Sequence, residues 1–302
     1  MKKDLLSCLD LTRADMDHIF ELAASLKAGR GKPDQPRPLE GKSVATIFAK
    51  SSTRTRVSFD VGIYELGGHT IYLDQSKTQM GRGETVPDTA HVLERYLAGI
   101  VIRTFAQKDV EELAANAKIP VINALTDDFH PCQALTDVFT MLEHAGKTEG
   151  LKLAYLGDGS SNMANSLMLA CKLAGIHLAI AAPEEFRPRQ DLLDLQHGSG
   201  SAVWTTSVRE AMQDADFVYT DVWVSMGFEE EARRRMQILA PYRLDMNTLR
   251  LGKPDIKVLH CLPAHRGDEI TDDVMDSRHS IVFDQAENRL HVQKAIMALL
   301  MA

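Results

Sequence analysis

Three hydroxyls and two guanidiniums fall within five residues, Ser52-Thr53-Arg54-Thr55-Arg56, between an apolar run and a helical pattern. A helix start offers unpaired N–H groups and about half a positive charge, a setting that suits a phosphate. Guanidiniums add bidentate, charge-assisted donors. The same residues would also serve as helix caps beside solvent-facing arginines. His130-Pro131-Cys132-Gln133 occupies an equivalent junction. There the imidazole can donate to a carbonyl oxygen while the Gln133 oxygen accepts from an amide NH2. A helix cap with proline in its first turn fits equally well. Arg103 directly follows the apolar Ala98–Ile102 run, where a strand-end ligand residue or a plain surface arginine would stand.

A second group lies further along. Gly157-Asp158-Gly159-Ser160-Ser161-Asn162 approaches a dinucleotide fingerprint, but Asn162 replaces its third glycine. Glu184 is an acid available to a ribose, which keeps a nicotinamide-dependent oxidoreductase open as a rival reading. Asp221 opens Asp221-Val-Trp-Val-Ser225-Met226-Gly227, and Cys261 lies in His260-Cys261-Leu262-Pro263-Ala264-His265-Arg266-Gly267. An acid and a thiol at two strand ends can converge on one amine. Asp221 as a helix cap and Cys261 as a small buried hydrophobe are the plainer alternatives. His260, His265 and Cys261 lack the further ligand pair that a metal site requires, so no metal is expected. Arg289, in Glu287-Asn288-Arg289, reads as an anion ligand or a solvated residue before the closing helix.

Strands must end where these residues begin. Apolar runs predict strands at Ser43–Ala49, His69–Leu73, Ala98–Ile102 and Pro120–Ala124, with helices over Leu11–Lys27, Val57–Leu66, Asp88–Tyr96, Lys108–Ala117 and Gln133–His144. The pattern restarts after residues 144–150. Strands are expected at Leu151–Leu156, His177–Ala181, Ala202–Thr206, Phe217–Thr220, Lys257–His260 and Ile281–Phe283, and helices at Asn162–Ala174 and Leu290–Met301. Alternation of this kind implies parallel sheets covered on both faces, hence an α/β protein of two α/β domains. The division expected is 1–144 with the closing helix 287–302, and 145–286.

Composition narrows the field. The 302 residues are 44% hydrophobic and 25% charged, an ordinary globular profile that excludes collagen-like, disordered and coiled-coil chains. No apolar run approaches the ~20 residues of a membrane span, and acids interrupt the first residues before any signal peptide could form. Four cysteines without close spacing favour free thiols in a cytoplasmic protein. A net charge of −8 disfavours nucleic acid as a partner, so an anionic substrate needs a local basic site.

Taken in order, the five motifs STRTR, HPCQ, DVWVSMG, HCLPAHRG and ENR resemble the ornithine carbamoyltransferases, over nearly the whole chain. The resemblance implies two mainly parallel α/β domains, with the C-terminal helix packed back on the first. It implies carbamoyl transfer from carbamoyl phosphate to the δ-amine of ornithine, giving citrulline and phosphate in arginine metabolism, without a cofactor. By position it assigns carbamoyl phosphate to Ser52, Thr53, Arg54, Thr55, Arg103, His130, Gln133 and Arg289, with the backbone around Cys261 and Leu262. Ornithine falls to Asn162, Asp221, Ser225 and Met226. Arg103, His130, Asp221 and Cys261 are the expected catalytic residues. Gln79 matches a residue that reaches a neighbouring subunit's site, in a homotrimer or a multiple of trimers. Ser161 stands where related sequences commonly carry Asn. A non-catalytic relative of these enzymes is a third reading, which the intact set of site residues disfavours.

Overall fold

The computed structural model describes residues 1–50, 52–79, 83–195, 200–224 and 232–302. The chain separates into two units, Met1–Leu135 with Asn288–Ala302, and Thr136–Glu287. The first unit holds β1 (Ser43–Phe48), β2 (His69–Asp74), β3 (Gly99–Arg103) and β4 (Val121–Leu125), all parallel, in the order β2-β1-β3-β4. β1, β3 and β4 are nearly continuous apolar runs because both of their faces are covered. The chain leaves β1 toward β2 on one side and later reaches β3 on the other. Such a reversal opens a crevice at the carboxyl ends of the two strands, where α/β sheets take ligands. Register sets Phe48 opposite Arg103, so β1 and β3 end level. A register shift between Ile102 and Arg103 interrupts the pairing with β4 at that same end.

The second unit repeats the design. β5 (Lys152–Leu156), β6 (His177–Ala181), β7 (Ser201–Thr205), β8 (Phe217–Thr220) and β9 (Lys257–Leu259) run parallel in the order β7-β6-β5-β8-β9. Its reversal lies between β5 and β8, which end in the GDGSSN loop and at Asp221 respectively.

Helices begin where the sequence caps them. Thr12 and Asp15 form a reciprocal capping box ahead of Arg13–Ala28. The helix expected from Val57 starts earlier, at Arg54, so Thr53 is its N-cap residue. Arg103 closes β3 instead of following it.

The expected strand Ile281–Phe283 is not one. Residues 279–281 flank β9 through Val258 N–H to His279 O and Ile281 N–H to Val258 O, and the chain then turns into the helix Val282–Met301. A three-residue apolar run suits either structure, and the Gln285 N–H bond to Ile281 O commits it to helix. Arg289 is therefore inside the closing helix and not ahead of it. In the first unit this helix lies close to two glycines. A Cβ on Gly62 would come within 3.0 Å of Met297, and one on Gly99 within 2.4 Å of Met301.

Candidate active site

The first unit gathers its polar groups at the β1–β3 switch point. Arg103 donates to Ser52 Oγ (3.3 Å) and to Thr55 Oγ1 (3.2 Å), and Arg289 donates to Thr55 Oγ1 from the closing helix (3.0 Å). One hydroxyl thus accepts from two guanidiniums, Arg289 buried and Arg103 half-buried, an arrangement that an anion stabilises. Thr53, the N-cap residue of the helix Arg54–Glu65, makes no side-chain cap hydrogen bond, and among the described residues no other side chain is bonded to its first amides. The capping alternative is thereby excluded for Thr53, and the helix start keeps its positive end for a ligand. Arg54 is exposed there.

His130 immediately precedes the helix Pro131–Ala145, with Gln133 in its first turn, and both side chains are buried. Burial, and then the charges of Arg289 and Arg103, hold the His130 imidazole well below its ordinary range. It is a neutral hydrogen-bond group at physiological pH. Gln79 is exposed, and among the described residues its side chain has no partner; only its carbonyl accepts, from Glu84 N–H (3.0 Å).

Sequence reasoning missed Lys50. It is buried one turn of chain ahead of Arg54, ion-paired with Asp127 and placed 4.2 Å from the Phe105 ring centroid. It ties together the loops that follow β1, β3 and β4. An interior lysine next to STRTR was the available signal.

The second unit places Asp221 at the end of β8 and Cys261 just past β9, with the thiol donating to Asp221 Oδ1 (2.9 Å). Burial, and then the neighbouring carboxylate, push the Cys261 thiol well above its usual range. Burial raises Asp221 as well, although His260, the thiol and the Val222 amide oppose it. The pair is a carboxylate carrying an S–H donor, fit to take one N–H from an amine. It is not an activated thiolate nucleophile.

His260 stands behind this pair. Leu262 N–H donates to His260 Nδ1 (2.8 Å), so Nε2 carries the proton toward Glu269 (3.1 Å). Gln285 accepts from His260 N–H (2.9 Å) and donates to Asp137 (2.6 Å). These bonds hold Leu262 in the left-handed region at φ 57°. Asp221, His260 and Cys261 do bring potential metal-ligand atoms within 4.8 Å of one another. Both imidazole nitrogens are already committed, however, so the histidine supports the loop and offers no lone pair. Asn162 opens the helix Asn162–Ala174 after the GDGSSN loop. Ser225 and Met226 lie outside the described residues.

The dinucleotide alternative fails on packing. Ser161 caps its own helix by accepting from Ala164 N–H (3.2 Å). A Cβ on Gly159 would sit 2.8 Å from Phe186 O, so that glycine admits the neighbouring backbone and not a pyrophosphate. Asp158 is ion-paired with Arg235.

An anion-ready helix start with converging arginines in one α/β unit, and an acid–thiol pair in the other, equip a group transferase that uses a phosphorylated donor. Residues 3–143 match the carbamoyl-P binding domain of aspartate/ornithine carbamoyltransferases, and residues 149–300 match the Asp/Orn binding domain. The chain belongs to this family and is a carbamoyltransferase. The ornithine carbamoyltransferase of Geobacter metallireducens is 50% identical, over 100% of both chains. That of Thermococcus kodakarensis is 49% identical, over 99% of this chain and 96% of its own. The solved ornithine carbamoyltransferase from Pyrococcus furiosus superposes with a TM-score of 0.95 at 46% identity, covering 99% and 96%. Its counterpart from Thermus thermophilus gives 0.91 at 39% identity, covering 100% of each.

Proposed function

We propose that the chain transfers the carbamoyl group of carbamoyl phosphate to the δ-amine of L-ornithine, yielding L-citrulline and phosphate. The uncapped start of the helix Arg54–Glu65, with Arg103 and Arg289 joined through Thr55, is the observation that carries the donor half. Ser52, Thr53, Arg54 and Thr55 bind the phosphate. Arg103 and His130 polarise the carbamoyl oxygen as it gains charge, and neutral His130 does so as a donor. Gln133 accepts from the carbamoyl NH2 and fixes its orientation. Cys261 and the Leu262 backbone complete the donor's shell.

Asp221 and the Cys261 thiol orient the neutral δ-amine, with Asn162, Ser225 and Met226 holding the amino-acid end. The nitrogen bonds to the carbonyl carbon as the carbon–oxygen bond to phosphate breaks. The surplus proton leaves the nitrogen and departs on the phosphate. Asp221 must be ionised for this, so turnover rises with pH, first through its raised carboxylate and then through the bound amine. The enzyme is a cytoplasmic homotrimer in which Gln79 reaches a neighbour's site. No helix among the described residues is long and apolar enough to cross a membrane, and the cysteines are free thiols.

The test is turnover with ornithine against putrescine, in wild type and Asp221→Asn. A pocket with polar groups built for an α-amino acid rejects an amine lacking them by about 10⁴-fold. Ornithine is expected to be used far better, and the substitution to suppress it. Equal use of both amines, or a fully active Asp221→Asn, would overturn the acceptor reading.

A further inference from the structure

We propose that Arg235 is a positioning residue for the acceptor, a single guanidinium that joins the loop after β5 to the loop after β8 and so sets the spacing of Asn162 and Asp221. The proposal rests on the acceptor reading above.

Arg235 lies on the helix Ala232–Leu239 and is only 7% exposed. Its Nε donates to Trp223 O (2.7 Å), two residues past Asp221. A terminal nitrogen is ion-paired with Asp158, four residues before Asn162. The guanidinium carbon lies over the Phe186 ring, 4.5 Å from its centroid.

Asp158 in turn organises its own loop. Its Oδ1 accepts from Ser160 N–H (2.9 Å) and Ser160 Oγ (2.6 Å), and its carbonyl accepts from Ser161 N–H (3.3 Å). Trp223 is buried against Gly157, where a Cβ would stand 3.4 Å from the indole nitrogen. Gly157 adopts φ +130°, which a larger residue resists. The two loops thus meet face to face, and Arg235 pins both.

A buried charge is costly, and replacing such a pair by apolar residues often leaves stability unharmed. Its use here is geometric: a planar fork bonds in two directions at once while its cationic centre sits over a ring. Lysine keeps the charge, but a single ammonium on a flexible stem cannot reproduce that arrangement.

The full-length protein carrying Arg235→Lys tests this, with Asp158→Asn as a second variant in case the first does not fold. The KM for ornithine is expected to rise tenfold or more, with the KM for carbamoyl phosphate within twofold of wild type. Hydrogen exchange at the Ser160, Ser161 and Val222 amides should speed up at least tenfold, while amides of β1 to β4 stay unchanged. Arg235→Lys that folds with an unaltered ornithine KM overturns the positioning role. So does a loss shared equally between both substrates, which marks a merely structural residue. Unchanged exchange in both loops overturns the clasp itself. A wild type that makes no citrulline defeats the acceptor reading instead, and the exchange measurement still decides whether Arg235 joins the loops.

Discussion

At the scale of single residues, Arg54 stands apart from the buried groups proposed to share the donor half of the site. Arg54 is exposed and has no partner among the described residues. Arg54→Ala should leave the melting temperature unchanged while weakening carbamoyl phosphate binding by about 1.5–3 kcal/mol, roughly 10- to 150-fold. Calorimetric titration checks this, and an unaltered affinity would remove Arg54 from the phosphate site. His130 makes a different prediction. Its imidazole is neutral in the fold well below pH 6.5, whereas the unfolded chain titrates near that value. The unfolded state therefore binds the extra proton, and stability falls as pH drops below about 6.5. Affinity for carbamoyl phosphate should show no His130 inflection between pH 6 and 7.5. An inflection there that disappears in His130→Asn would contradict the neutral assignment. The positions of both residues at strand–helix junctions were legible in the sequence, because hydroxyls, guanidiniums and imidazole cluster there. Arg289, expected ahead of the closing helix, lies inside it, since Ile281-Val282-Phe283 mimics a strand. Glu269 and Gln285, which bond His260, and Asp137, which accepts from Gln285, were invisible, because such a chain of tertiary partners leaves no local pattern.

At the scale of elements, two similar strand–loop–helix units have opposite helix starts. The helix after β1 is uncapped, whereas the helix after β5 is capped by Ser161. Sequence alone did not separate them, since both junctions are rich in Ser and Thr; whether a hydroxyl turns toward its own helix depends on the backbone at the cap. Ser161 thereby has a structural role, as the cap of its own helix. Gly159 shows the other limit of local reading. Its fingerprint spacing pointed to a cofactor, but the distance to Phe186 O shows close packing of backbone on backbone. Gly159→Ala should destabilise the fold by about 1–3 kcal/mol, an overpacking cost, because a carbonyl cannot swing aside as a side chain would. Denaturant unfolding measures it, and a loss below half a kcal/mol would show that the segment yields.

For the whole molecule, an acidic chain keeps its cations where they have work to do. Lys294, on the closing helix, is 0% exposed and donates to Glu65 (2.7 Å), which also accepts from Arg30 (2.9 Å). Burial pushes Glu65 up, but the two cations outweigh it and its carboxyl titrates below the usual value. This contribution to stability is present above the unfolded carboxylate range and is lost as acid protonates the folded group. Removing the carboxylate leaves an uncompensated interior ammonium, so Glu65→Gln should cost about 3 kcal/mol or more, and Lys294→Met distinctly less. Equal losses in chemical unfolding would refute this account of the pair. The α/β class and parallel sheets were readable from alternating apolar runs. The strand orders were not, because pairing partners lie far apart in the chain.

The division of the chain has a consequence during synthesis. The first unit needs Asn288–Ala302, and Arg289 with it, so the ribosome must translate all of Thr136–Glu287 before that unit can close. At 5–20 residues per second this interval lasts roughly 8–30 s. Throughout it the nascent first unit leaves the groove beside Gly62 and Gly99 without Met297 and Met301, an apolar surface for a chaperone to shield. A message cut short yields a protein whose Thr55 hydroxyl meets Arg103 alone, so under the proposed function incomplete copies lack one of the two guanidiniums assigned to the carbamoyl donor.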